Sequence, residues 1–146
     1  MQNPPPVQTA PAPPVPSAPG KSSTGLDENL AALLSYIAGW LSGLIFFLIE
    51  KDSRLVRFHA MQSLLLNILV IVIGIVVWVL TVVLWLVSTQ ISGIISALVS
   101  LVATLFWVVF GIAILVAVVM CLIKAYQGQY FKLPVIGNFA EKFSQK

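Results

Sequence analysis

Charge is what this chain has least of. Only 9% of its 146 residues are charged, and between Arg57 and Lys124 there is no Asp, Glu, Lys or Arg at all. A soluble segment of that length would carry roughly 16 such residues, so the run excludes a soluble surface. Cysteine is nearly absent too: Cys121 alone rules out an internal disulfide framework and a multi-cysteine metal site, and reads as a small apolar filler. The sole histidine, His59, has no nucleophile, orienting carboxylate or companion ligand suggested by its sequence surroundings, so a hydrogen bond near a helix start is its expected use. The sequence also lacks a phosphate-binding glycine loop, an HExxH pair, a nucleophile elbow and any intramembrane charge that could relay protons. These absences point to a non-enzymatic protein without cofactor or metal. No nucleic-acid partner is expected, because topology accounts for the net charge of +3.

What is present is hydrocarbon. Val, Ile and Leu run without the alternation a transmembrane barrel needs, and only helices satisfy their own backbone within such runs. The expected fold is all-α: a polytopic membrane protein with a three-transmembrane-helix bundle, its spans near 30–49, 63–87 and 94–123. The second and third exceed a bilayer's needs, which predicts tilt or protrusion. Asp52 or Ser53 can cap the second helix, and Ser88 to Gly93 is the one turn-like break in the long block. Residues 1–26 hold eight of the nine prolines and are expected to form a disordered tail with polyproline II character, not a cleavable signal peptide, ahead of the membrane domain of 27–143. Basic residues cluster in the first loop (Lys51, Arg54, Arg57) and in the interfacial tail 124–146 (Lys124, Lys132, Lys142, Lys146), while Lys21 stands alone before the first span. With three spans this predicts a cytoplasmic (inner) membrane protein, N-terminus outside and C-terminus cytoplasmic.

Small and polar residues mark the expected packing lines: Ala31, Ser35, Gly39 and Gly43 in the first helix, and Asn67, Gly74, Thr81 and Ser88 at seven-residue intervals in the second. Asn67 is expected to bond across to another helix. In the third, Ser92, Ser96, Ser100 and Thr104 form a hydroxyl stripe. Two segments stand out as a candidate cytoplasmic surface. One contains Arg54, Arg57, Phe58, His59, Gln62 and Ser63; the other contains Tyr126, Gly128, Tyr130, Pro134 and Gly137. The antiparallel order of the last two helices would bring them together. Arg57, His59 and Gln62 would donate to tail carbonyls and to the Tyr126 and Tyr130 hydroxyls, while Arg54 and Arg57 would face lipid phosphates. Gly128 is expected to end the third helix in left-handed geometry.

The strings Leu48 to Ser63 (LIEKDSRLVRFHAMQS) and Lys124 to Gly137 (KAYQGQYFKLPVIG) resemble bacterial and archaeal membrane proteins related to the chloroplast inner-envelope import component Tic-twenty. The resemblance covers about residues 28 to 143. It implies a subunit of a protein-translocation path and supplies no catalytic residues. From the residues themselves, the leading expectation is a membrane protein that binds lipid headgroups or a partner protein at its cytoplasmic face. A homo-oligomer forming a small-solute channel along the serine stripe is the other alternative.

Overall fold

A computed structural model describes residues 20–144, which fold into five helices: α1 (Glu28–Leu34), α2 (Trp40–Ile49), α3 (Arg54–Ile91), α4 (Gly93–Tyr126) and α5 (Ile136–Ser144). The uncharged block supplies α3 and α4, of 38 and 34 residues. Their lengths of about 57 and 51 Å exceed the ~30 Å hydrocarbon core. Ser53 starts α3 by accepting a hydrogen bond from Val56 N at 3.3 Å, and Ser92 does the same for α4 with Ile95 N at 3.2 Å. Ser92 is the one extended residue between the two helices, so the expected turn at Ser88 to Gly93 shrinks to a single hinge position. Both helices also run past the expected spans: α3 begins at Arg54 because Arg54 to Gln62 stays helical where other elements wrap it, and α4 continues to Tyr126.

The expected first span is not one helix. Residues 35–39 break it, with Gly39 at φ 60 and ψ −128, a conformation open to glycine and costly for other residues. The pieces are 7 and 10 residues long, about 10 and 15 Å, so neither crosses a bilayer. Their outer ends meet. Ser53 Oγ donates to Glu28 at 2.9 Å, and Ser23 N and Oγ donate to Glu50 at 3.0 and 2.8 Å. The segment therefore runs along α3 as far as Asn67, turns, and comes back to the end where it started. Among the described residues, two helices, not three, have spanning length and composition.

That reversal frees backbone groups, which nearby hydroxyls satisfy. Ser42 Oγ accepts from Ala38 N at 3.1 Å and lies 2.9 Å from Ser35 O, while Ser63 Oγ of α3 donates to Gly39 O at 3.2 Å. Irregular backbone at membrane depth is tolerated only under such cover. The hairpin lies close against α3: a β-carbon on Gly43 would come within 2.9 Å of Ala60 O and 3.0 Å of Leu64 N. At the same end Ala31, Ala32 and Tyr36 pack on Leu55, Val56, Cys121 and Ala125, and Ala140 of α5 packs on Phe58 and Met61. The core is confined to this head. Beyond Asn67 the two long helices are largely bare, and Gly74 has nothing within 4 Å of where a β-carbon would stand.

Most of the expected proline-rich tail lies outside the described residues. Its last part, 20–26, forms a hydrogen-bonded turn, with Ser22 N donating to Leu26 O at 2.8 Å and Gly25 N to Ser22 O at 2.9 Å.

Candidate functional site

At the head, α3 presents His59 and Gln62 one turn apart to α1, α4 and the segment after α4. His59 Nε2 lies 3.0 Å from Gln129 O, and Nδ1 lies 3.2 Å from Tyr36 Oη. A carbonyl can only accept, so Nε2 carries the proton and Nδ1 of the neutral ring accepts from the tyrosine. Gln62 Nε2 in turn donates to Tyr36 Oη at 3.2 Å and to Phe131 O at 3.0 Å, and touches Cys121 Sγ at 3.4 Å; its Oε1 accepts from Leu133 N at 3.4 Å. The donors run in one consistent direction, Gln62 to Tyr36 to His59 to Gln129. Buried polar groups are tolerable when paired in this way.

The two segments expected to meet are thus joined by His59 and Gln62 reaching the backbone of 129–133. The details differ. Phe58, His59, Gln62 and Ser63 are buried, so they form an interior and present no surface. Arg57 does not reach the tail. Its Nη1 donates to Glu50 O at 3.1 Å and its guanidinium stands 5.2 Å from the Phe47 ring centroid. Among the described residues, the Tyr126 and Tyr130 hydroxyls make no hydrogen bond; Tyr130 instead packs edge-on against Phe58 at 5.4 Å. The hydroxyl that completes the network is Tyr36, hidden inside an apolar stretch with no local signal for its role. Gly128 takes the left-handed conformation (φ 68) after α4, with Gln129 N bonded back to Lys124 O at 2.9 Å. Gly137 is required by contact, since a β-carbon there would stand 2.6 Å from Lys132 Cα; Pro134 lies just before the α5 turn.

The packing residues divide in the same manner. Ser35, Gly39 and Gly43 lie in the hairpin. Asn67 bonds within its own helix, Nδ2 to Ser63 O at 2.9 Å, where a bond to another helix was expected. Thr81 donates to Val77 O at 2.8 Å. The serine stripe turns inward on its own backbone: Ser96, Ser100 and Thr104 donate to Gly93, Ser96 and Ser100 carbonyls at 2.8 to 2.9 Å.

Charge collects at the head. Glu50 Oε1 receives Ser23 Oγ at 2.8 Å, Ser53 N at 2.8 Å and Asp52 N at 3.0 Å. Burial works to raise its pKa, and these donors outweigh it, holding the carboxyl at about 2 against an ordinary 4.5. Lys132 pairs with Glu141 at 2.8 Å, the one salt bridge among the described residues. Lys51 and Arg54 are exposed; Lys51 N donates to Ser23 Oγ at 2.8 Å, while the Lys51 ammonium and the Arg54 guanidinium make no hydrogen bond or ion pair among the described residues.

Comparison with known proteins bears on the whole domain. A model of a magnetosome magnetite crystal formation protein family matches residues 26–140. A UPF0132 membrane protein of Methanocaldococcus jannaschii is 40% identical over 126 residues, covering 86% of this chain and 96% of its own. A second from that organism is 35% identical over 123 residues (82% and 71%), and one from Archaeoglobus fulgidus is 38% identical over 117 (80% and 95%). No solved structure matches the chain. Both motif strings at Leu48 to Ser63 and Lys124 to Gly137 fall within the matched region. The expected relationship to the Tic-twenty import component is overturned by this match, and the translocation role inferred from it falls with it.

Proposed function

We propose, from the premise that the chain belongs to the magnetosome magnetite crystal formation protein family, that it is a non-enzymatic membrane protein whose charged head gathers anionic phospholipid at the cytoplasmic face. One observation carries this reading. Every charged residue described, including Lys21, Lys51, Arg54, Arg57, Lys124, Lys132 and Lys142, belongs to the head, and the hinge at the far end of α3 and α4 has none. Basic residues flanking short loops stay cytoplasmic, so the head and both ends of the described chain belong on that side, in place of an outside N-terminus. Each exposed Lys or Arg near an anionic surface contributes about 1 kcal/mol of attraction. Lys51 and Arg54 are exposed at the start of α3 and are placed to do so.

The family's description concerns magnetite crystal formation, and what we carry to this chain is a role in organising a membrane at which such a solid forms. A direct hold on metal ions has less support. Among the described residues no three His, Cys, Asp or Glu side chains converge, and the hinge opposite the head offers only hydroxyls and an amide.

The test is thermal unfolding of the reconstituted protein in nanodiscs of phosphatidylcholine with and without phosphatidylglycerol. The anionic lipid should raise the midpoint, and Lys51→Ala with Arg54→Ala should remove at least half of that rise. Equal midpoints in both lipids would sink the reading.

A further inference from the structure

We propose that the protein is a membrane wedge, whose head expands one leaflet only, so that it concentrates on lipid surfaces that are convex on the head side. The inference goes beyond the headgroup reading and does not depend on it, since it rests on cross-section and holds for lipid of any charge.

The case begins with a likeness between the two ends of the chain. The N-terminal hairpin leaves the level of Ser53, where Glu28 is bonded, reaches Asn67 at Gly39, and is back at Ser53 by Glu50. The segment after α4 makes the same excursion. Gln129 O lies at His59 and Leu133 N at Gln62 Oε1, while Val135 and Ile136 reach Leu69 and Val72. Helix α5 then climbs back, with Ala140 against Phe58 and Met61. Gly137 N donates to Leu133 O at 2.8 Å and closes this second hairpin. Two unlike sequences thus turn at one level of α3, residues 67–72. Just beyond it the long helices are bare: a β-carbon on Gly74 of α3 or Gly111 of α4 would meet nothing within 4 Å.

The two faces of the head differ in kind. The charged residues Lys51, Arg54 and Lys124 stand where the hairpins enter and leave, whereas Ile37, Trp40 and Val135, at the turns, are apolar and exposed. A body that is polar above and apolar below is suited to immersion from one surface of a bilayer. Its depth agrees. From Arg54 to Asn67 or Leu69 is about 20–22 Å of helix, half of the ~40–45 Å of a bilayer with its headgroups. The stretch of α3 from 68 to 91, about 36 Å, exceeds the other half, so the turns lie no deeper than the midplane.

Cross-section then sets the direction of bending. A helix about 10 Å across occupies about 80 Å² of the membrane plane. Below the turns α3 and α4 together take about 160 Å²; beside the head α1, α2 and α5 raise this to about 400 Å². Area added to one leaflet alone is relieved when that leaflet follows the longer arc, which makes the membrane convex on the head side. Helices inserted at one interface are sensitive to curvature in this way.

The experiment uses the full chain with a fluorophore on Lys51→Cys in a Cys121→Ala background, reconstituted in both orientations into giant phosphatidylcholine vesicles. A thin membrane tube is pulled outward, so that its outer leaflet is convex and its inner leaflet concave. A membrane-impermeant reductant that bleaches the dye then separates molecules with the head outside from those with the head inside. Relative to the parent vesicle, the head-outside molecules should be enriched in the tube about twofold or more, increasingly as the tube narrows, and the head-inside molecules depleted. Equal tube-to-vesicle ratios for the two orientations overturn the proposal, as does enrichment of the head-inside molecules. Because phosphatidylcholine carries no net charge, failure here is separate from failure of the headgroup reading.

Discussion

Glu50 ends the apolar hairpin and ties it to the chain on either side, since its carboxylate takes bonds from Ser23, Asp52 and Ser53 together. A carboxyl held at about 2 when folded and near 4.5 otherwise favours the folded head at any pH above about 4.5. That contribution fades as pH falls through 4.5 and is gone once pH drops below about 2. Glu50→Gln should therefore lower the unfolding midpoint by several degrees at pH 7, and the gap to the unaltered protein should close as the pH is brought toward 2. A gap that persists at pH 2 would mean that the side chain's shape, and not its charge, holds the loop. At this scale the sequence was partly legible. His59 and Gln62 stand out as polar groups at the start of a long apolar helix, and backbone carbonyls of the tail are natural acceptors for them. Tyr36 was not legible, because its hydroxyl reaches His59 only after the hairpin has turned back.

Helix α2 lies against α3 through Gly39 and Gly43, and the two glycines resist substitution for different reasons. At Gly39 the backbone itself is the obstacle, with φ 60 and Asn67 Oδ1 3.0 Å from a would-be β-carbon. At Gly43 the neighbours are backbone atoms of α3, which cannot swing aside as a side chain can. Overpacking of this kind costs about 1–3 kcal/mol. Gly74 is the internal control, being helical with open space around it. Gly39→Ala and Gly43→Ala should thus lower resistance to denaturant in micelles, and Gly74→Ala should be neutral or slightly stabilising. Equal effects at Gly43 and Gly74 would count against a packed hairpin. The long helices were legible because hydropathy and capping serine agree at their ends. The hairpin was not, because hydropathy measures how apolar Leu30 to Ile49 is, and twenty apolar residues satisfy one crossing or two half-depth helices equally. Gly39 was noted for its size, and its positive φ follows from the turn.

For the molecule as a whole, the question is which end of the bundle the N-terminal segment occupies. The head wraps residues 54–67 of α3, about 21 Å of helix, and leaves 68–91, about 36 Å, to cross the ~30 Å core. Yet the outer face of the hairpin is apolar as well: Ile37, Trp40, Leu41, Ile45, Leu48 and Ile49 are all exposed. In water such a face would be a liability; on the proposed topology the hairpin lies in the near leaflet, entering and leaving on the charged side while α3 and α4 tilt to fit. The asymmetry of charge was visible in the sequence, but a third crossing sent Lys21 to the opposite side. Removing that crossing brings Lys21 back to the other cations. Single cysteines at Lys21, Lys142 and Gln90 in a Cys121→Ala background decide the matter. A membrane-impermeant thiol reagent applied to intact cells should modify the Gln90→Cys protein, at the hinge end, and spare the Lys21→Cys and Lys142→Cys proteins until the cells are opened. If the Lys21→Cys protein reacts in intact cells while the Lys142→Cys protein does not, residues 30–49 cross the membrane after all, and the bonds from Ser23 to Glu50 cannot form.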